Sequence, residues 1–141
     1  MTPDQIKAVQ ESFAKVAPIS EQAAALFYGR LFEIAPSVKP LFRGDMKEQG
    51  RKLMATLAVV VNGLDNLDAI LPAASALAKR HVEYGVKPAH YAPVGEALLW
   101  TLERGLGAHW TAELAAYWGA AYSVLSEFMI GEAYGRSAAA E

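Results

Sequence analysis

Apolar residues recur at intervals of three and four through most of the chain, the spacing that gathers them on one face of an α-helix. Ile6, Val9, Phe13 and Val16 form the first such stripe, and Thr2-Pro3-Asp4-Gln5 ahead of them reads as a start signal. Thr2 can cap, Pro3 suits the first helical position, and Gln5 can close a capping box. Pro18 ends the segment because it has no N–H for the ladder. A second helix is expected over about residues 20–33, with Ala24, Phe27, Tyr28 and Leu31 on its apolar face. Pro36 and Pro40 bracket a short irregular or 3₁₀ piece that ends in Leu41-Phe42, and Gly44-Asp45 mark a turn.

A third helix is expected over about residues 46–62, with Gln49, Leu53, Leu57 and Val60 on one stripe and Gly63 as its stop. Asn66 can cap a fourth, reaching about residue 84, in which Pro72 predicts a bend or a fresh start. Ala74, Leu77 and His81 share a face of it. After a corner at residues 85–90, a fifth helix begins near Tyr91 and Pro93 and carries Val94, Leu98, Thr101 and Leu102 up to Gly107. Thr111 caps the last helix, whose stripe is Leu114, Trp118, Ala121, Tyr122, Leu125 and Met129. No segment alternates with period two, and no Asn-Gly or Asp-Gly hairpin turn occurs. The pattern predicts an all-α fold, an irregular helical bundle forming one domain over residues 1–134, with a frayed Ser- and Ala-rich tail at 135–141.

Composition narrows the chemistry. The chain has 141 residues and no cysteine, which excludes disulfides, thiolate ligands, a cysteine nucleophile and covalent C-x-x-C-H haem attachment. Thirteen Lys and Arg against fifteen Asp and Glu provide no basic field for nucleic acid. The longest apolar stretch runs from residue 53 to 61 and includes Thr56, well short of the roughly 20 residues of a membrane span. No apolar run follows the N-terminus, so no secretory signal is expected and a cytoplasmic location is. Dinucleotide fingerprint, P-loop, H-E-x-x-H and G-x-S-x-G motifs are absent.

Three histidines are then the candidate ligands. His109 lies in a polar corner and His90 directly before a helix start, where local roles are the ordinary ones. His81 lies late in an amphipathic helix on an apolar face. A lone histidine there is more often a satisfied boundary residue than a ligand. Its company changes the weighing. A haem needs an apolar slot, one axial base, and polar groups only where its gas ligand binds. Tyr28 and Gln49 are polar residues on otherwise apolar stripes. Taken singly, a core tyrosine usually bonds a carbonyl and a glutamine near a helix start usually meets water.

The residues together resemble a known family. Leu26-Phe27-Tyr28, Leu31-Phe32, Pro40-Leu41-Phe42, Gln49 with Arg51-Lys52-Leu53-Met54, and Gly63-Leu64-Asp65-Asn66-Leu67 carry the likeness. Arg80-His81, Tyr84-Gly85-Val86, His90-Tyr91, Pro93-Val94-Gly95, Leu98-Leu99, Trp118 and Tyr122-Ser123-Val124 continue it. In this order and spacing the chain resembles bacterial single-domain haemoglobins, globin modules related to flavohaemoglobins, and among them the Hell's Gate type globins. The resemblance implies the globin fold around one non-covalent haem b. It implies His81 as the metal ligand, Phe42 as an aromatic wedge, Tyr28 and Gln49 as the gas-facing polar pair, and Leu53 as the wall beyond them. Leu77, Val86, Val94 and Leu98 are implied as further haem contacts. Tyr91 matches a family tyrosine that joins the proximal histidine and a late glutamate in a network. Ungapped alignment puts Ala133 at the glutamate's place and Glu132 one residue early. Either the last helix is irregular near Gly131 or the network lacks that acid.

The resemblance further implies tight binding of dioxygen and other diatomic gases, and dioxygenation of nitric oxide to nitrate with electrons from a separate reductase. A monomer or a homodimer fits, the alanines between residues 115 and 121 permitting close packing. A haem-based gas sensor, a haem-free globin-like interaction module, and peroxidase-like or sulfide-binding haem chemistry are the competing readings.

Overall fold

The structure is a computed structural model and describes residues 2–42, 44–83 and 85–134. Its first helix, α1 (Pro3–Val16), opens as its sequence dictates. Thr2 Oγ1 accepts from the Gln5 N–H at 3.3 Å while Gln5 Oε1 accepts from the Thr2 N–H at 3.1 Å. Pro18 turns Ala17–Ile19 into a single 3₁₀ turn, and α2 (Ser20–Ile34) follows without a gap. Pro36–Leu41 is 3₁₀ helix, as the two prolines suggest. Asp45 caps α3 (Met46–Asn62), its Oδ1 accepting from the Lys47 N–H at 2.9 Å, and Gly63 ends the helix.

Helix α4 (Leu67–Glu83) runs through Pro72 with no fresh start, contrary to one of the two sequence expectations. The reason is position. Pro72 is the sixth residue of the helix, so its missing N–H removes only one of the earliest bonds of the ladder. A 3₁₀ turn at Pro88–His90 leads into α5 (Tyr91–Leu106), which Gly107 terminates at a φ of 54°. Thr111 Oγ1 accepts from the Leu114 N–H at 3.0 Å at the start of α6 (Ala112–Tyr134). The described residues contain no strand. The expected tail at 135–141 and Tyr84 of the family pattern lie outside the described residues.

Helix α2 crosses α5 and α3, α1 lies on α6, and α4 packs chiefly against α6 rather than against α3 before it. Among the described residues two apolar clusters result. The larger gathers Val9, Phe13, Val16, Phe27, Leu31, Leu98, Leu102 and Trp118. The Trp118 indole N–H donates to Ser12 Oγ at 2.9 Å, and Ser12 in turn donates to the Val9 carbonyl at 2.8 Å, so this buried polar chain is satisfied. The smaller cluster joins Ala78, Tyr91 and Met129, with Leu77, Val86, Leu125, Ile130 and Ala133 at its margin. Helix α3 belongs to the first cluster and α4 to the second.

Candidate functional site

The divided core leaves apolar flanks uncovered. Phe42, Leu53, Leu57 and Val94 sit half-buried at the margin of the large cluster, and Leu77 and Val86 half-buried at the margin of the small one. Helix α3 is apolar over most of two turns, yet only Gly50 and Val61 in it are fully buried. An ordinary core would have closed over these side chains, since each contributes about 1.5–3 kcal/mol when buried. A flat apolar group between the clusters would cover them. Leu98, by contrast, is 5% exposed inside the large cluster and serves the core.

His81 comes from the last turn of α4 and is half-buried. Its Nδ1 lies 2.8 Å from the Leu77 carbonyl, which can only accept, so Nδ1 carries the hydrogen and Nε2 the lone pair. Burial pushes its pKa below the ordinary histidine value; the bond to the Leu77 carbonyl opposes this in part, and Arg80 adds a smaller push downward. A neutral, oriented imidazole is the form that ligates a metal. The Tyr91 ring lies nearly parallel to it at 6.3 Å between centroids. Among the described residues no group of three or more His, Asp or Glu gathers to hold a bare metal ion. The donor set, one oriented imidazole beside half-buried apolar side chains, fits an apolar group that takes a single axial base.

Tyr28 sits on α2, 8% exposed. Phe27 and Phe42 meet its ring edge-on at 5.1 and 5.2 Å, and Phe32 stacks at 6.0 Å. These rings hold the phenol in place. Its hydroxyl donates to the Gln49 main-chain carbonyl at 3.2 Å, and burial pushes its pKa up to about 12, so it remains a proton donor at neutral pH. The tyrosine and glutamine read as a polar pair are therefore neighbours, joined through the main chain of Gln49. Their meeting depends on Gly50, where a Cβ would stand only 2.9 Å from the Ala24 Cβ. Ala24 lies one helical turn before Tyr28, so this contact sets how near α3 comes to the phenol.

On the other side, the Tyr122 hydroxyl donates to the Tyr91 carbonyl at 2.6 Å, and its ring fills the space a Cβ on Gly95 would enter. Burial, and then Tyr91, push the Tyr122 pKa far up. Helix α6 continues through Gly131 without interruption. Ala133 packs against the small cluster and Glu132 is exposed, so the last helix presents the alanine there and no acid. His90 has a local contact, its Nδ1 accepting from the Lys87 N–H at 3.0 Å, whereas the exposed His109 meets a distant part of the chain, its Nδ1 lying 3.4 Å from Lys15 Nζ of α1. Gly50 is a structural contributor the sequence reading does not name, and Gly95 and Tyr122 enter it only within the apolar stripe and the family pattern, without these contacts. Glycine inside an otherwise periodic helix was the available signal for the two glycines.

No helix among the described residues is long and apolar enough to cross a membrane. The family model described as Globin matches residues 25–129. A flavohemoprotein of Bordetella parapertussis is 32% identical over 137 residues, 93% of this chain and 34% of the relative. A flavohemoprotein of Rhodopirellula baltica is 32% identical over 129 residues, 89% of this chain and 32% of the relative. The chain thus spans about a third of the length of the curated relatives it matches. A bacterial globin from Campylobacter jejuni superposes with a TM-score of 0.82 at 24% identity, over 99% of this chain and all of that one, and shows the shared fold. An engineered carbene transferase from Rhodothermus marinus, described as a candidate nitric oxide dioxygenase, superposes with a TM-score of 0.85 at 27% identity, over 100% of this chain and 99% of that one. These findings agree with the likeness to flavohaemoglobin-type globin modules read from the sequence and with the all-α globin fold.

Proposed function

Because this chain belongs to the globin family, we propose that residues 1–134 form a globin domain that binds haem b through His81 and takes up dioxygen and other diatomic gases beside Tyr28. The observation that carries this reading is the His81 imidazole, held neutral with Nδ1 on the Leu77 carbonyl, at the edge of apolar side chains that the fold leaves half-covered. Haem, when bound, supplies the iron that binds the gas and its reaction with nitric oxide to give nitrate. His81 holds the iron and Tyr91 steadies the imidazole through ring contact. Phe42, Leu53, Leu77, Val86 and Val94 exclude water from the slot, with Leu98 behind them. Tyr28 offers its hydroxyl proton to the gas, and the Gln49 main-chain carbonyl competes for that proton; the Gln49 side chain is the second polar group that the family pattern implies there.

A gas held by a phenol is released slowly. One hydrogen bond with partial charge contributes about 1.5–3 kcal/mol, or about one to two powers of ten in affinity. Slow release suits retaining dioxygen until nitric oxide arrives. The relatives named flavohemoprotein and the neighbour described as a candidate nitric oxide dioxygenase support dioxygenation as the reaction. Each turnover leaves the iron oxidised, so a separate electron-donating reductase is part of the reading, with the cytoplasm as the place of work.

Titration of the purified chain with hemin tests the binding step, with a Soret band at one equivalent expected. Material that stays colourless would overturn it. Rapid mixing of the oxygenated protein with nitric oxide tests the reaction, with one nitrate per haem expected. Nitric oxide consumption without nitrate would refute dioxygenation while leaving gas binding standing.

A further inference from the structure

Charge is unevenly placed along this chain. Residues 39–87 carry eight Lys or Arg against five Asp or Glu, whereas the rest of the chain carries five against ten. A protein with a net charge of −2 thus concentrates its cations in the segment that supplies α3, α4 and their flanks. Within it, the cations gather at one end. Lys39, Lys47, Arg51 and Lys52 lie just before α3 or in its first two turns, and Lys79, Arg80 and Lys87 lie in the last turns of α4 or just after. The turn at residues 63–66, with Asp65 and then Asp68, is at the opposite end of both helices.

The fold joins the two cationic groups. A Cβ on Gly85 would stand 3.3 Å from Leu41 Cδ2, so the chain leaving α4 touches the chain entering α3. All seven cations are exposed. The ion pairs among the described residues, Lys7–Glu11 and Arg30–Glu33, lie elsewhere. The acidic residues near these cations are Asp45, whose Oδ1 already caps α3, exposed Glu48, and Glu83 in the last turn of α4, so the seven cations outnumber the three acids. His81 lies in the last turn of α4, inside this rim. Cations that flank a redox site and outnumber the acids around them set up a field that speeds encounter with an acidic partner.

We propose that this rim is the docking surface for an acidic one-electron carrier protein, which reduces the haem iron across it. The inference rests on the haem-binding reading above. One electron passes from the reduced carrier to ferric iron, giving ferrous iron and a carrier oxidised by one electron, with no bond made or broken. Cations at the mouth and an acidic surface elsewhere orient such a carrier toward the slot and disfavour other approaches.

The test is stopped-flow reduction of the ferric, haem-loaded protein by two donors. One is a reduced plant-type ferredoxin, which is acidic. The other is photoreduced deazariboflavin, which is small and uncharged. In the Lys47→Glu, Arg51→Glu, Lys87→Glu variant the ferredoxin rate is expected to fall at least about tenfold, the scale of steered association, while the deazariboflavin rate holds. The triple Gln variant is expected to fall in between. The wild-type ferredoxin rate is expected to drop steeply as salt shortens the Debye length to about 8 Å. An unchanged ferredoxin rate in the Glu variant overturns the proposal. So does equal slowing with both donors, which marks damage to the site, or a salt-insensitive rate with the rim binding phosphatidylglycerol vesicles instead. Failure of the wild type to be reduced by deazariboflavin, or to load hemin at all, overturns the haem reading itself and is thereby told apart.

Discussion

Replacing Gly50 with alanine strikes the contact that sets how near α3 comes to Tyr28. The new Cβ would stand 2.9 Å from the Ala24 Cβ, where ordinary contact begins at 3.4 Å. Both atoms are fixed to helix backbones and neither has a rotamer to yield. Helices α2 and α3 must therefore part by about 0.5 Å. The Tyr28–Gln49 bond, 3.2 Å long, stretches to about 3.7 Å, beyond hydrogen-bonding distance. Overpacking costs about 1–3 kcal/mol and the lost bond about 1 kcal/mol. Removing a glycine from a helix interior returns about 0.5–1 kcal/mol. The net expectation is a loss of about 2 kcal/mol, the reverse of the gain that Gly→Ala brings at an open helix position. Urea unfolding of the haem-free chain reads it, since a bound cofactor would break the two-state assumption. Ala24→Gly on the Gly50→Ala background should restore the approach, with a coupling of about 1–2 kcal/mol in the double-mutant cycle. A variant as stable as the wild type, or an additive double mutant, would refute the claim that this contact sets the helix separation.

Tyr28→Phe should speed oxygen release from the haem-loaded protein by about tenfold or more, the worth of one such hydrogen bond; an unchanged off-rate in stopped flow would remove Tyr28 from the gas-facing side. His81→Ala should lose hemin and regain pigment with added imidazole, and a normal iron–histidine stretch persisting in its Raman spectrum would show another ligand at work. Alkaline pH should unfold the haem-free chain. Burial pushes the Tyr28 pKa up from 10.0 to about 12, so the stability that depends on its neutral phenol is whole below pH 10 and is lost as pH rises toward 12. Tyr122 is shifted in the same direction, and denaturant midpoints that stay flat across that window would contradict both. Hemin should slow hydrogen exchange in α4 more than in α1 or α2, because the His81 end of α4 packs on the small cluster; uniform protection would argue against a slot between the clusters.

The legible and the illegible parts of the site divide along local and non-local physics. Periodicity, caps and breakers are local, and they placed α3 at residues 46–62 and stopped it at Gly63 as the structure has it. Capping by Thr2, Asp45 and Thr111 follows from side-chain chemistry two or three residues away. Pro72 was misjudged in part because a breaker's effect depends on its distance from the helix start, which spacing alone places poorly. For His90 the local reading matches its bond to the Lys87 N–H, whereas the contact of His109 with Lys15, 94 residues away, is one that only the fold makes.

What residue order by itself determined is the helical framework, the all-α class, and a shortlist with His81, Tyr28 and Gln49 at its head. Those follow from interactions within a turn or two of each residue and from the match to a family pattern. Only the tertiary structure decided that the core divides in two and leaves Leu53, Leu77 and Val94 half-covered. It also decided that the Tyr28 proton rests on a main-chain carbonyl 21 residues away and that Ala133, not Glu132, meets the small cluster. These outcomes turn on how closely two helices approach and on which way each is rotated. An interval of a few tenths of an ångström at Gly50, or one residue's rotation of α6, is set by packing across the whole molecule.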